Sequence, residues 1–236
     1  MNKIFAIAVK ELKEYFKSPI AYIVLIVTIS IFNIFFFLII DQNQEASLRD
    51  VFKIMEFLFI FIIPLLTMKA FSEEKASGTM EFLMTTPTTN TAIVLGKYLG
   101  NLIFFSLIIG LTTSYYFILE FFGQPQRLAI LIGYLGIWLE GALFIAIGIL
   151  ASSLTKNQII AALSSYTVLF LSYFSISFIK YFSGHTEAFI RYIGTWSHAE
   201  NFAMGLVTLA DFVYYLSGIL ICILFTRLSI ENRLWR

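Results

Sequence analysis

The sequence predicts an all-α membrane protein with six transmembrane helices, an amphipathic amino-terminal helix at the interface, and short outer helices between spans five and six. Three observations carry this expectation. Of the 236 residues, 59% are AVILMFWYC and only 13% are charged, about half the roughly 25% of an average soluble domain. Mean hydropathy is +0.85. Apolar runs of about 20 residues, enough to cross a bilayer as helices, recur along the chain. Disorder, a collagen-like fibre and a soluble enzyme fold are excluded on these grounds. The 26 Phe and 12 Tyr suit a lipid-facing protein anchored at the interface. The single cysteine, Cys222, lies in an apolar run, which leaves no disulfide framework and no cysteine-based metal site.

The first element is the amino-terminal helix. Ile4, Phe5, Ala8, Leu12, Tyr15 and Phe16 recur at three- and four-residue spacing, while Lys3, Lys10, Glu14 and Lys17 share the opposite face. Basic on its polar side and directly before a span, such a helix lies along the inner membrane surface. Packing on the protein's own inner loops is an equally open reading. Charges between positions 10 and 17 interrupt any apolar core, and no small-residue cleavage site follows Ile40, so the segment is not read as a signal peptide.

Charge-free stretches at 19–40, 98–119 and 158–179 are each long enough to cross. A fourth span covers 128–154 with Glu140 near its middle, and a shorter last one covers 212–226. The stretch 57–68 contains Pro64 and by itself reads as re-entrant. Extended back through Val51 and Phe52 it becomes a full crossing, with Lys53 and Glu56 at the outer interface. Six crossings put both termini on one side. Of the 16 Lys and Arg, only Arg49, Lys53, Arg127, Lys180 and Arg191 then fall outside, the bias expected if that side is the cytoplasm. The outer segments carry Asp41, Glu45, Asp50, Glu56, Glu120, Glu187, Glu200 and Asp211, so the outside is acidic and the inside basic. Halves 1–118 and 119–236 share neither loop lengths nor motif positions, which argues against a carrier built of inverted repeats.

The loop between spans two and three reads as a helix extension, a break at Gly78, a short amphipathic turn over 79–84 and a stop at Pro87. Thr88, Thr89 or Asn90 then caps the third span. Met80, Leu83 and Met84 are expected to expose an apolar edge, with Glu73, Glu74 and Glu81 around it. An apolar knob ringed by charge suits a docking contact. A loop tucked against its own helix ends is the competing reading.

These residues carry a family resemblance. Glu74-Lys75, then Gly78-Thr79-Met80-Glu81-Phe82-Leu83, then Pro87, then Gly96-Lys97 opening a span, resemble the first cytoplasmic loop of ABC-2 type ABC transporter permeases. The six-span layout, the amphipathic first helix and the long outer segment before the last span are similar to that family too. The stretch from Ser197 through His198 to Gly205, with Asp211-Phe212-Val213-Tyr214-Tyr215 after it, looks closest to gliding-motility-associated and copper-enzyme-maturation permeases. Where those relatives often have an aromatic after the His, this chain has Ala199.

The resemblance implies one permease domain over 1–236, multi-pass in a prokaryotic inner membrane with both termini cytoplasmic. Residues 73–84 (Glu73, Glu74, Lys75, Gly78, Thr79, Met80, Glu81, Leu83 and Met84 among them) would form the main coupling helix, seated in a cleft of a separate ABC-type ATPase. The turn Thr155-Lys156-Asn157 would be the second, smaller contact. Two such ATPases would hold ATP and Mg, and two permease copies, identical or homologous, would pair in the bilayer to form an exporter. An accessory envelope protein is a further partner that the resemblance admits; nucleic acid is not. The chain lacks a phosphate loop of its own: before Gly96-Lys97 the required earlier Gly is Thr91, and the hydroxyl residue after the lysine is Tyr98. Lys97 is expected to mark a membrane boundary.

Within the membrane, Glu140 carries an insertion cost of roughly 2.5 to 3.5 kcal/mol on translocon scales. Gly133 and Gly136 on its face let another helix approach. It either lines a substrate path or is a structural pin, protonated or hydrogen-bonded to a neighbouring span; no second buried charge is expected beside it. Ser164, Ser165, Ser172 and Ser175 fall within an arc of about 100° in span five, lining a gap between permease copies or hydrogen-bonding within one. Asn33 and Thr112-Thr113-Ser114 read as packing. His185 and His198 lie apart and without cysteine partners, so no metal site is expected. Gly184, Gly194 and Gly205 interrupt an aromatic outer segment, which suits short helices with Trp196 at headgroup level.

No catalytic residue is assigned. A membrane metalloprotease needs His-Glu-x-x-His, which is absent, and neither His lies in a span to serve a membrane serine protease. The alternatives to an exporter subunit are a non-transport mechanotransmission complex of the same architecture and an ATP-independent carrier.

Overall fold

A computed structural model gives the structure and describes residues 3–43, 45–80 and 88–231, the side chain of Lys180 excepted. Its helices are α1 (Lys3–Lys17), α2 (Pro19–Asn43), α3 (Arg49–Thr67), α4 (Lys69–Ala76), α5 (Asn90–Thr112), α6 (Ser114–Phe122), α7 (Arg127–Leu154) and α8 (Gln158–Phe178). A 3-10 turn (Ile179–Tyr181) then leads to α9 (His185–Ile193), α10 (Thr195–Ala203) and α11 (Leu209–Glu231). Among the described residues there is no strand. Six helical stretches are long and apolar enough to cross a membrane: Pro19–Asn43, Arg49–Ala76, Asn90–Phe122, Arg127–Leu154, Gln158–Phe178 and Leu209–Glu231. The second and third each join two helices.

The axis of the bundle is α7, which packs against α3, α4, α5, α8, α10 and α11. Its small residues set the spacing. A Cβ on Gly133 would come within 2.1 Å of the Phe52 ring, and one on Gly136 within 2.2 Å of Phe202 Cβ, so the expected close approach is made by aromatic knobs of α3 and α10. Around this axis Phe52, Phe59, Phe71, Phe104, Phe105 and Phe144 fill one apolar core. At the periphery, α2 and α11 leave Ile23, Ile26, Phe37, Leu216, Leu220 and Phe225 exposed, the surface that a bilayer or a second protein copy covers.

The second crossing runs on from α3 into α4, so it is a full span. Glu56, expected at the outer interface, is 3% exposed and sits among core residues, because the helix turns that face toward α7 rather than water. The helix of the third crossing begins at Asn90, well before Tyr98. Thr89 caps it, its side-chain oxygen accepting from the Ala92 amide at 3.2 Å. The same crossing breaks at Thr113, where the hydroxyls of Thr112, Thr113 and Ser114 donate to the carbonyls of Ile109, Gly110 and Leu111 at 2.6 to 2.9 Å. Such local bonding competes with the backbone ladder and bends helices.

Candidate functional site

The first helix is built to lie on α5. Gly96 and Gly100, one turn apart, present a flat face: a Cβ on Gly96 would meet Ile7 at 2.6 Å, and one on Gly100 would meet Glu11 Cβ at 2.7 Å. Ala8 and Glu11 are buried there, and the Tyr15 ring stacks on Phe104 at 4.7 Å. Phe5 and Phe16 stay exposed, so α1 packs on the protein through one side and offers aromatics to its surroundings through the other.

This close approach brings three charges together. Lys97, buried on α5, donates to Glu11 Oε1 of α1 at 2.7 Å and to Glu74 Oε1 of α4 at 2.8 Å. It also sits 5.2 Å over the Phe71 ring of α4. Lys97 is thus not turned to water: its ammonium is internal and paired with two acids. Burial pushes the Glu11 carboxyl above its ordinary range, against the pull of Lys97 and with the repulsion of Glu74 and Glu14.

A second tie holds α4 to α7. Ser152 Oγ accepts the amide hydrogens of Phe71 and Ser72 at 3.0 and 3.1 Å and donates to the Met68 carbonyl at 2.8 Å. That uses both acceptor positions and the one donor of a hydroxyl, at the point where α3 passes into α4. The buried Lys75 ammonium donates to the Ser153 carbonyl, which also accepts from Ser229 Oγ at 3.0 Å. The helix then stops as expected: Gly78 takes φ +73°, which only glycine adopts freely.

Of the sequence-assigned coupling residues, Glu73, Gly78 and Thr79 are exposed, Glu74 is half-buried on Lys97, and Lys75 is buried. Met80, expected on an exposed apolar edge, is instead 7% exposed and belongs to the core, because the reversal at Gly78 turns it back toward the bundle. Glu81, Leu83 and Met84 lie outside the described residues. Lys156 and Asn157 are exposed in the turn that follows α7, where Asn157 Oδ1 caps α8 by accepting from the Ile159 amide at 2.8 Å. Since Lys75 binds the carbonyl of Ser153, the α4 end and the Thr155 turn stand side by side.

The membrane-embedded candidates separate. Glu140 is 1% exposed, and neither carboxylate oxygen has a hydrogen-bond partner among the described residues. Contrary to expectation a second buried carboxyl, Glu56, lies near enough for the charges to interact. Ser172 Oγ donates to the Ile193 carbonyl at 3.3 Å, and Ser175 Oγ faces Gly194 so closely that a Cβ there would sit 2.4 Å away. Ser172 thereby ties the α9–α10 junction to α8, while Ser175 Oγ donates back to the Ser172 carbonyl at 2.8 Å. Ser164 bonds back to Ala161, while the buried Ser165 hydroxyl has no partner among the described residues.

At the opposite end, α9 and α10 are clasped to α11. Asp211 lies 2.6 Å from His198 Nδ1 and accepts from Asn201 at 3.2 Å and Thr208 at 2.7 Å. The His198 ring stacks on Tyr214 at 4.1 Å. Among the described residues no group of three His, Cys, Asp or Glu is placed to hold a metal.

The profile of one family, the ABC-2 family transporter proteins, matches residues 5–217. The chain belongs to that family. No curated protein matches it. As an ABC-2 transporter protein it is a multi-pass membrane permease, and the matched region takes in α1, α4, the Lys97 cluster and the His198 clasp. Ser152, Glu11 and Lys97 were not assigned from sequence. Two signals pointed at the last pair: an acid on the apolar stripe of α1, between Ala8 and Leu12, and the Gly96-x-x-x-Gly100 face beside Lys97.

Proposed function

We propose that the chain is the membrane subunit of an ATP-binding cassette exporter in a prokaryotic inner membrane, with its basic end and both termini in the cytoplasm. Two separate ATPase subunits hold ATP and Mg, and two permease copies, identical or homologous, form the translocating unit. The observation that carries this reading is the shared support of the two cytoplasmic contacts. Ser152 and Lys75 fasten α4 to the end of α7, so the turn at Gly78 and the turn at Thr155 move as one body. Lys97 extends that body to α1 and α5. A push from a closing ATPase on the exposed Glu73 and Lys156 side chains is thereby delivered to the central span as well as to the loop.

The test is ATP hydrolysis by the complete permease–ATPase complex in proteoliposomes. Glu73→Lys together with Lys156→Glu alters only exposed charges. The expected result is a folded, membrane-inserted variant whose permease-stimulated hydrolysis falls at least tenfold. Full stimulation in the double variant would overturn the assignment of these contacts.

A further inference from the structure

At the basic end, α1, α2 and the α3–α4 junction enclose a cleft of about 540 Å³, within the size range of small-molecule sites. Its walls differ in kind. On one side stand Glu11, Glu74 and Lys97; on the other are Ile20, Val24, Leu65 and Leu66. Ile20 is 50% and Leu65 43% exposed, so the apolar wall continues onto the lipid-facing surface of α2 and α3. The cleft therefore opens where acyl chains lie.

The polar wall is short of positive charge. Four carboxylates, Glu11, Glu14, Glu73 and Glu74, line the cleft against three ammonium groups, Lys10, Lys69 and Lys97, and Lys97 alone serves two of the four. A ligand that completes this wall brings hydrogen-bond donors and one positive charge, and to fill the other wall it brings an apolar body. Lys69, also lining the cleft, adds a cation that suits a phosphate in the same ligand.

We infer that this cleft binds an amine-bearing phospholipid, with the ammonium among the carboxylates of Glu14, Glu73 and Glu74, the phosphate toward Lys69 and the acyl chains against Leu65 and Ile20. This is a lipid site of the chain itself and is independent of what the transporter carries. A bound headgroup would cross-link α1 to α4, the two helices already joined through Lys97, so the lipid would act as a third strut of that joint.

The test uses the full chain purified in a neutral maltoside detergent and an acyl-labelled phosphatidylethanolamine as fluorescent probe. Phosphatidylglycerol and N-acetyl-phosphatidylethanolamine of the same chains serve as competitors, alongside dodecylamine. Phosphatidylethanolamine is expected to bind at least tenfold tighter than the two lipids that lack the free amine, with dodecylamine competing more weakly than the phospholipid. Glu74→Gln should erase the preference. Because Glu74 also pairs with Lys97, Leu65→Trp provides a second arm that fills the apolar wall without touching the charges; it should weaken binding at least tenfold. Equal binding of the amine-bearing and amine-free lipids, a preference that survives Glu74→Gln, or undiminished binding to Leu65→Trp would overturn the site. Dodecylamine binding as tightly as the phospholipid would overturn the phosphate contact and reassign the cleft to free amphiphilic amines.

Discussion

Lys97 Nζ stands 2.7 Å from Glu11 Oε1, and through that bond a helix outside the membrane spans is fixed to the third crossing. Both side chains are more than nine-tenths buried, so water screens little of their attraction. Removing one partner of such a pair leaves an uncompensated charge and costs about 3–5 kcal/mol. Lys97→Met is accordingly expected to destabilise the chain by that amount and to loosen α1 and α4 together, since Glu74 loses the same ammonium. Thermal unfolding in detergent measures it. Glu11→Gln and Glu74→Gln added to Lys97→Met should recover most of the loss, because the charges then vanish as a set.

Glu11 also gives the chain a pH dependence. Burial raises its carboxyl above the ordinary 4.5, and the opposing pull of Lys97 does not cancel the rise. A raised carboxyl binds its proton more tightly when folded than when unfolded. Stability from this group is therefore greatest below pH 4.5, falls as pH rises to the folded value, and is flat above it. Glu11→Gln removes the titration. The Tm of the native chain relative to Glu11→Gln should decline across that window and then level off. A rise in the relative Tm over the same range would show that Lys97 outweighs burial.

Ser152 Oγ accepts from both the Phe71 and the Ser72 amide just past the α3–α4 junction. Ser152→Ala strands the Phe71 and Ser72 amides in a dry site, and a buried group left unpaired costs about 1–3 kcal/mol. The expected readouts are a lower Tm and faster hydrogen exchange at residues 71 and 72, with the distant His198 clasp unaffected. Unchanged exchange at these two amides would mean that α4 does not depend on α7 for its start.

These residues mark where sequence reading stops. The crossings, the helix stop at Gly78 and the cap at Thr89 were legible because each follows from local rules: apolar length, a left-handed glycine, a hydroxyl before a helix. The Lys97 cluster was not, since a lysine near a span end looks the same whether it reaches water or two acids distant in the chain. Glu56 was misplaced for a related reason. Its neighbours Lys53 and Asp50 pair with each other at 3.0 Å on the surface, and only the rotation of α3 against α7 decides that Glu56, one turn on, faces inward. Met80 was read as exposed because the reversal at Gly78 fixes a direction that spacing alone does not contain.

Glu140 is the last case. A hydrogen-bonded pin needs a partner, and neither oxygen has one among the described residues, which leaves a protonated pin; a path needs access, and the residue is 1% exposed. On the same helix Gly136 packs against Phe202 and Gly141 against Phe105. An unsatisfied buried polar group costs stability, and replacement by an apolar side chain of similar size is often neutral or stabilising. Glu140→Met is therefore expected to raise stability by about 1–3 kcal/mol, read as an increase in Tm of the purified chain. ATP-driven activity of the Glu140→Met complex then tells what the cost maintains. Loss of activity in a more stable protein would assign Glu140 to the working cycle, while a fall in Tm would restore the pin.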